Sequence, residues 1–354
     1  MSKLRIGIIG AGNIARDHLR SYKQCDDVEV VAICDINEDV LNEKGDEFGI
    51  EKRFTSMEDM LANVELDAVS VCVWNCNHAK CTIAALNAGL HVLCEKPMSY
   101  TVEEAKEMVE VSKKTGKILM LGFVTRFTND TIIAKDFVDK GILGDIYYGE
   151  ATYLRRHGNP GGWFSDHSRS GGGPVIDLGV HAIDNIRYLM GSPKPVSVYA
   201  MTNNNIGPRH HLKTDVGWKP KGASAKDICD VEDFATALIR FDNDATILLR
   251  ASYDMHDVST NGKKLLGTKG GLKYGTSDAP TIYTEMCDYM VDVTPSINNL
   301  KAGKASFAAE IKHFVDCCLG KCECTATAED GYVVMQILDA IYRSAETKHE
   351  VIIK

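Results

Sequence analysis

LRIGIIGAGNIARDHL, running from Leu4 to Leu19, sets a short apolar run, a glycine turn and an amphipathic stretch in immediate succession. Leu4 to Ile9 reads as a buried strand. Gly10 to Ala15 then has the spacing G-x-G-x-x-A, and apolar positions continue at helical intervals through Leu19 and Tyr22. That spacing lets the backbone approach a pyrophosphate, whose charge rests on the N-terminus of the following helix. A glycine pattern alone is weak, but here the next strand, VEVVAICD, ends at Asp35. A carboxylate at that place binds the ribose hydroxyl pair and repels a 2′-phosphate, and Ile36 and Asn37 supply no cation to receive one. NAD is therefore expected over NADP. Gly10, Gly12, Asn13, Ile14 and Asp35 are the expected cofactor contacts.

The same unit repeats downstream. Leu66 to Val73, His91 to Lys96 and the ILMLGF run ending at Phe123 read as strands, separated by helices at His78 to Ala88 and Val102 to Lys114. Alternation of this kind predicts a doubly wound parallel sheet, with ligands beyond the carboxyl ends of its strands. Asn75, Glu95 and Lys96 fall at those ends. A cationic or desolvated setting there can lower the pKa of Lys96 into a range useful for proton transfer.

After Phe123 the rhythm changes. Ile146 to Leu154, Val196 to Thr202, Phe234 to Phe241, Ala245 to Tyr253 and Lys263 to Gly267 alternate as strands of a mainly antiparallel sheet do. The expected organisation is a Rossmann α/β domain over residues 1–123 and an α+β domain over 124–354 with a large, open-faced sheet. Its spare face suits a subunit interface, as in a homodimer or homotetramer. Asn203 to Asp230 is too long for a turn and reads as a functional loop or lid, with His210 and His211 as surface residues. Ala308 to Leu319 and Gly331 to Ala345 read as closing helices, with a last strand at Val351 to Ile353.

GGGPVIDLGVHAIDNIRYLM, Gly171 to Met190, is a second glycine loop entering a helix. Pro174 suits the first turn. Gly179, Ile183, Ile186 and Met190 make one apolar face, while Asp177, His181, Asp184 and Tyr188 make a polar line at the same spacing. A carboxylate one turn from an imidazole orients it and favours its charged form, a common construction for an acid/base pair. A helix with a merely structural histidine has the same pattern.

A chain of 354 residues, 44% hydrophobic and 25% charged, has room for about two domains with proper cores. Its net charge of −9 disfavours nucleic acid and anionic membrane as partners. No apolar run approaches the roughly 18 residues of a span, and the early apolar run lacks a cleavage region, so a cytoplasmic location is expected. The 12 cysteines then read as reduced thiols. Cys317, Cys318, Cys322 and Cys324 depart from paired C-x-x-C spacing, and no metal is expected.

These residues together resemble the Gfo/Idh/MocA family of NAD(P)-dependent sugar and inositol oxidoreductases over nearly the whole length. The likeness rests on GAGNIA, the His78 helix, HVLCEKP, the GFVTRF stretch ending at Phe127, SGGGPVIDLGVHAID and AEDGYVVMQILDAIYRSA. It implies that Lys96 and His181 transfer the proton, that Asp177 holds a substrate hydroxyl and the imidazole, and that Asn75, His78, Glu95 and Lys96 border the cofactor. Where the family usually has Thr-Pro-Asn, this chain has Val73-Trp74-Asn75. The indole of Trp74 can stack near the nicotinamide or narrow the pocket.

The implied substrate is a sugar, a glycoside or a cyclic polyol. Arg155, Arg156, His157, Asn159, Trp163 and Asp166 cluster before the glycine loop, where relatives contact substrate, and Trp163 can stack on a sugar face. Arg155, His157, Trp163, Lys96, Asp177 and His181 are the expected substrate contacts. The long loop with Trp218 leaves room for an aglycone, which favours a glucoside oxidised at C3. An inositol 2-dehydrogenase, a glycosidase using bound NAD for transient oxidation and a non-catalytic NAD sensor are the competing readings.

Overall fold

The computed structural model describes residues 3–214, 218–275, 279–296 and 305–354. They fall into two compact units, one of residues 3–127 with 305–332, the other of the described residues in 128–302 with 333–354.

The first unit holds β1 (Leu4–Ile9), α1 (Asn13–Tyr22), β2 (Val28–Cys34), α2 (Glu38–Phe48), β3 (Lys52–Phe54), α3 (Met57–Asn63), β4 (Ala68–Val71), α4 (His78–Asn87), β5 (His91–Cys94), α5 (Val102–Thr115) and β6 (Leu119–Leu121). Its six strands lie in the order β3-β2-β1-β4-β5-β6 and are parallel throughout. All four β4 residues are buried, as are all three of β6, because helices cover both faces of such a sheet. Strand order reverses between β1 and β4, which places the ends of those strands at the ligand-binding edge. Local chemistry sets the helix ends: Thr101 and Glu104 form a capping box on α5, and Gly116 closes it in the left-handed conformation.

The second unit holds α6 (Asn129–Asp139), β7 (Ile146–Leu154), α7 (His167–Ser170), α8 (Val180–Leu189), β8 (Pro195–Asn203), β9 (Phe234–Phe241), β10 (Thr246–Ser252), β11 (Lys263–Gly267), β12 (Gly270–Tyr274), β13 (Thr281–Met286) and β14 (Tyr289–Val293). α9 (Ala305–Cys318), α10 (Ala328–Thr347) and β15 (Val351–Ile352) complete the chain. The nine strands run β14-β13-β12-β11-β7-β10-β9-β8-β15. β7 and β10 are parallel, and the other pairs are antiparallel. A parallel neighbour needs a crossover, and the chain supplies it: after β7 it forms α8, then β8 and β9, before β10 lies beside β7. α8 packs through Ile183, Ile186 and Leu189, all fully buried, and Gly149 of β7 makes room for Ile186, since a Cβ there would stand 2.5 Å from Ile186 Cγ2. On the opposite face Tyr199, Met201 and Leu238 are exposed.

Sequence alone keeps everything after residue 123 together, whereas 305–332 clusters with the first sheet. The reason is packing: Ile311, Phe314 and Val315 of α9 are fully buried and the helix lies on α1. β12 to β14 extend the sheet beyond the expected strands; β14 has little burial to write an alternating pattern. Residues 215–217 of the long 203–230 connection lie outside the described residues. Among the described residues no helix is long and apolar enough to cross a membrane.

Candidate active site

The turn after β1 is a cradle with one open position. Gly10 has φ +94, and a Cβ would stand 2.5 Å from the Cys72 carbonyl oxygen, so only glycine fits. Gly12 would meet nothing within 4 Å, and it begins α1 without a side-chain cap. The first-turn N–H groups of α1 thus lack a side-chain acceptor at the cap, which is what an incoming phosphate uses. Asn13 and Ile14 open the helix. Asp35 accepts from the N–H groups of Ala11 at 2.7 Å and Asn37 at 2.8 Å. The carboxylate is fixed against the glycine turn at the end of β2. These residues fit a dinucleotide.

Beyond β4, Trp74 is 37% exposed and leads into a single 3₁₀ turn, Asn75–Asn77, whose Asn75 is buried. The His78 ring is fully buried, its Nδ1 2.6 Å from the Pro97 carbonyl and its Nε2 3.1 Å from that of Val73. His78 therefore staples the segments after β4 and β5 together, and burial holds its pKa below the ordinary value. Lys96 is partly exposed, joined to Pro97 by a cis peptide bond. Glu95 is buried; its Oε2 accepts from the Lys96 N–H at 3.2 Å and its Oε1 lies 2.9 Å from His18 Nε2. His18 Nδ1 continues to Ser70 at 3.1 Å, and Ser70 to the Tyr22 hydroxyl at 2.8 Å. Glu310 of α9 joins this group, and burial, with Glu95 adding to it, drives its carboxyl well above the usual range.

In the second unit the glycine loop is closed by packing. A Cβ on Gly172 (φ +152) would stand 2.0 Å from the Tyr342 hydroxyl, and one on Gly173 2.6 Å from the Glu232 carbonyl oxygen. The Glu232 carboxylate accepts from the N–H groups of Gly173 and Val175, each at 3.0 Å, and from the Tyr342 hydroxyl at 2.9 Å. Burial raises the Glu232 pKa, and those donors oppose the rise. The loop delivers the chain into a π-helical turn, Val175–Gly179, that runs straight into α8. A regular first turn was expected; wide turns of this kind recur at functional sites. Asp177 and His181 are both partly exposed, but Asp184, expected on the same polar line, is fully buried. The line therefore ends at His181, because the next turn packs into the unit.

Around Asp177 the structure gathers a cation and two phenols. Burial works against the charge of Arg155, yet Asp177 and Tyr153 hold its pKa above the ordinary value. Its guanidinium lies 5.4 Å from the Tyr153 ring centroid and 6.0 Å from that of Tyr253. His157 Nδ1 is 2.9 Å from Oδ1 of the fully buried Asp254, which also accepts from Arg209 Nη2 at 2.7 Å. Trp163 stacks with Phe164 at 3.9 Å, and Phe164 meets Trp218 edge-on at 5.6 Å. Asn159 and Asp166 hold the local chain: Asn159 Oδ1 accepts from Gly161 N–H and the Ser165 hydroxyl, and Asp166 caps α7. A cavity of about 390 Å³ opens here, walled by His157, Asn159, Arg209, His210, Lys213 and Lys219 among others. His210 and His211 are both exposed, as expected of surface residues, and His210 also lines this cavity.

Asp254, Glu232, Tyr342 and Glu310 do not stand out in the sequence. Asp254 follows directly on the strand ending at Tyr253, a placement that could have marked it. Glu232 and Tyr342 carry no local signal, since each matters only through residues far along the chain.

Residues 4–123 match the oxidoreductase family with an NAD-binding Rossmann fold, and residues 132–273 match the GFO/IDH/MocA C-terminal domain. The chain is 35% identical to D-glucoside 3-dehydrogenase of Escherichia coli (strain K12) over 355 residues, 98% of this chain and 96% of that one. It is 34% identical to myo-inositol 2-dehydrogenase of Thermotoga maritima over 188 residues, 53% of this chain and 55% of that one. Among solved structures, levoglucosan dehydrogenase in complex with NADH superposes with a TM-score of 0.87 at 25% identity, covering 100% of both chains.

Proposed function

The chain belongs to the GFO/IDH/MocA oxidoreductase family, and on that footing we propose that this NAD-dependent sugar or polyol dehydrogenase oxidises the C3 hydroxyl of a glucoside to a 3-oxo-glucoside. The observation that carries the reading is the reach of the likeness. Identity to the D-glucoside 3-dehydrogenase runs through 98% of this chain, including the unit that carries Asp177 and His181, whereas that to the Thermotoga inositol enzyme covers 53%. The cavity beside His157, walled in part by the 203–230 connection, supplies space for an aglycone.

Oxidation of a secondary alcohol removes a hydride from carbon and a proton from oxygen. Bound NAD supplies the hydride acceptor, held by Gly10, Gly12, Asn13, Ile14 and Asp35, with Trp74, Asn75, His78 and Glu95 shaping the neighbouring strand ends. The proton is the task of the side chains. His181 and Lys96 take it from the reacting hydroxyl, and Asp177, one turn before His181, fixes the ring and holds a neighbouring hydroxyl. Arg155 beside Asp177 supplies the opposite charge that orients that carboxylate. His157, pinned by Asp254, and Trp163 read the rest of the sugar, since a pocket that hydrogen-bonds hydroxyls rejects analogues lacking them. The exposed face bearing Tyr199, Met201 and Leu238 is the proposed homo-oligomer interface.

The test is NADH release by the purified protein on methyl and phenyl glucosides, free hexoses and inositols. The proposal expects glucosides to give the highest kcat/KM; turnover confined to inositols would replace it with an inositol dehydrogenase.

A further inference from the structure

We propose that His313, Cys317, Cys322 and Cys324 form a Cys₃His site for one zinc ion, where the end of α9 meets the turn leading to α10. His313 and Cys317 stand four residues apart on α9 and so share a face. Gly320 (φ +68) reverses the chain just past the helix and brings Cys322 and Cys324 back towards that face.

The distances suit a metal. Tetrahedral zinc with Zn–S of about 2.3 Å and Zn–N of about 2.0 Å needs sulfurs about 3.7 Å apart and a sulfur–nitrogen separation of about 3.5 Å. Cys317 Sγ lies 3.6 Å from Cys322 Sγ and 3.5 Å from His313 Nε2. Cys322 Sγ is 3.7 Å from the other ring nitrogen, Nδ1, and reaches a metal on Nε2 by a turn of its exposed side chain. Donor atoms of His313, Cys317 and Cys324 all lie within 4.8 Å of one another. The Thr325 N–H donates to His313 Nε2 at 3.1 Å, which marks that nitrogen as the unprotonated one, the form a metal takes up. Binding would exchange this hydrogen bond for a coordinate bond.

The scaffold around the cluster is firm. Phe127 packs against the His313 ring at 5.3 Å with the planes tilted by 46°, and buried Arg126 donates to the Thr325 carbonyl and to Asp330. Donors of His313, Cys317 and Cys324 gather together with Cys322 beside Cys317, and three thiolates with one imidazole select zinc over hard cations. The site lies on α9 and its following turn, apart from every residue assigned to cofactor or substrate, so its role is to clip α9 to the start of α10.

Elemental analysis of full-length protein, purified without chelator from zinc-containing medium, tests this. About one zinc per chain is expected, falling below about a tenth in a Cys317→Ser/Cys324→Ser double variant. Cobalt added to zinc-stripped protein should give a thiolate-to-cobalt charge-transfer band, weakened in Cys322→Ser. Because Cys322 is exposed, that variant and the wild type decide the matter even if the double variant fails to fold. Wild type that takes up neither zinc nor cobalt would overturn the proposal. So would full metal retention by the double variant, or intact-mass evidence of a Cys317–Cys322 disulfide in fresh metal-free protein.

Discussion

Two glycine loops lead into two helices, and they are built in opposite ways. At Gly12 the backbone is bare, with nothing within 4 Å of a would-be Cβ and no side chain capping α1. At Gly172 and Gly173 the same smallness is consumed by the protein itself, with Tyr342 against one and Glu232 receiving the backbone N–H of the other. The first loop gives its Ala11 N–H to Asp35 but leaves the start of α1 without a side-chain cap; the second gives the N–H groups of Gly173 and Val175 to Glu232, just before Asp177 and His181. Glycine richness alone does not distinguish the two. What distinguishes them is whether the rest of the chain fills the space.

The largest expected effect lies in the proton transfer assigned to Lys96, which follows β5, and to His181, which follows the second loop. Lys96→Ala and His181→Ala should each lower kcat by about 10²–10⁴-fold, the usual worth of a positioned acid or base, with NAD affinity by fluorescence titration little changed. Near-wild-type kcat in both would remove them from proton transfer and leave the second loop with a structural role only.

Stability should separate the loops next. Glu232→Ala leaves two buried N–H groups and the Tyr342 hydroxyl without their acceptor, which should cost about 2–5 kcal/mol in denaturant unfolding. Gly172→Ala should destabilise as well, because the Tyr342 hydroxyl must move. Gly12→Ala should fold within about 0.5 kcal/mol of wild type yet bind NAD more weakly. If Gly12→Ala unfolded as easily as Gly172→Ala, the contrast between open and filled loops would be lost.

Asp35 carries the smallest of these effects. Asp35→Ser removes the charge that repels a 2′-phosphate and should shift the NAD-to-NADP ratio of kcat/KM by roughly tenfold towards NADP, read from steady-state rates with both cofactors. A wild type equally efficient with NADP would contradict the role given to this carboxylate.

Much of the first unit is legible because its signals are local. LRIGII, GAGNIA and Asp35 lie within one β-α-β unit, and buried parallel strands write themselves as continuous apolar runs. The second unit is legible in its strands at Ile146 to Leu154 and Phe234 to Phe241, where alternation follows burial. The parallel pairing of β7 with β10 depends on a crossover that no short window contains. The π-turn at Val175 depends on Glu232, 57 residues away in the chain. Asp254 and Arg209 meet only in three dimensions. His313 is hidden for a simpler reason: spacing among the cysteines alone carries no sign of the imidazole one helical turn before Cys317.

The central claim is that His181, Asp177 and Lys96 direct oxidation to the C3 carbon of an intact glucoside, and NMR of the product formed from methyl glucoside with NAD tests it most directly. The account predicts a carbonyl at C3, the methyl glycoside still attached, and one NADH for each product molecule. A carbonyl at another ring carbon, or release of methanol without accumulating NADH, would contradict it.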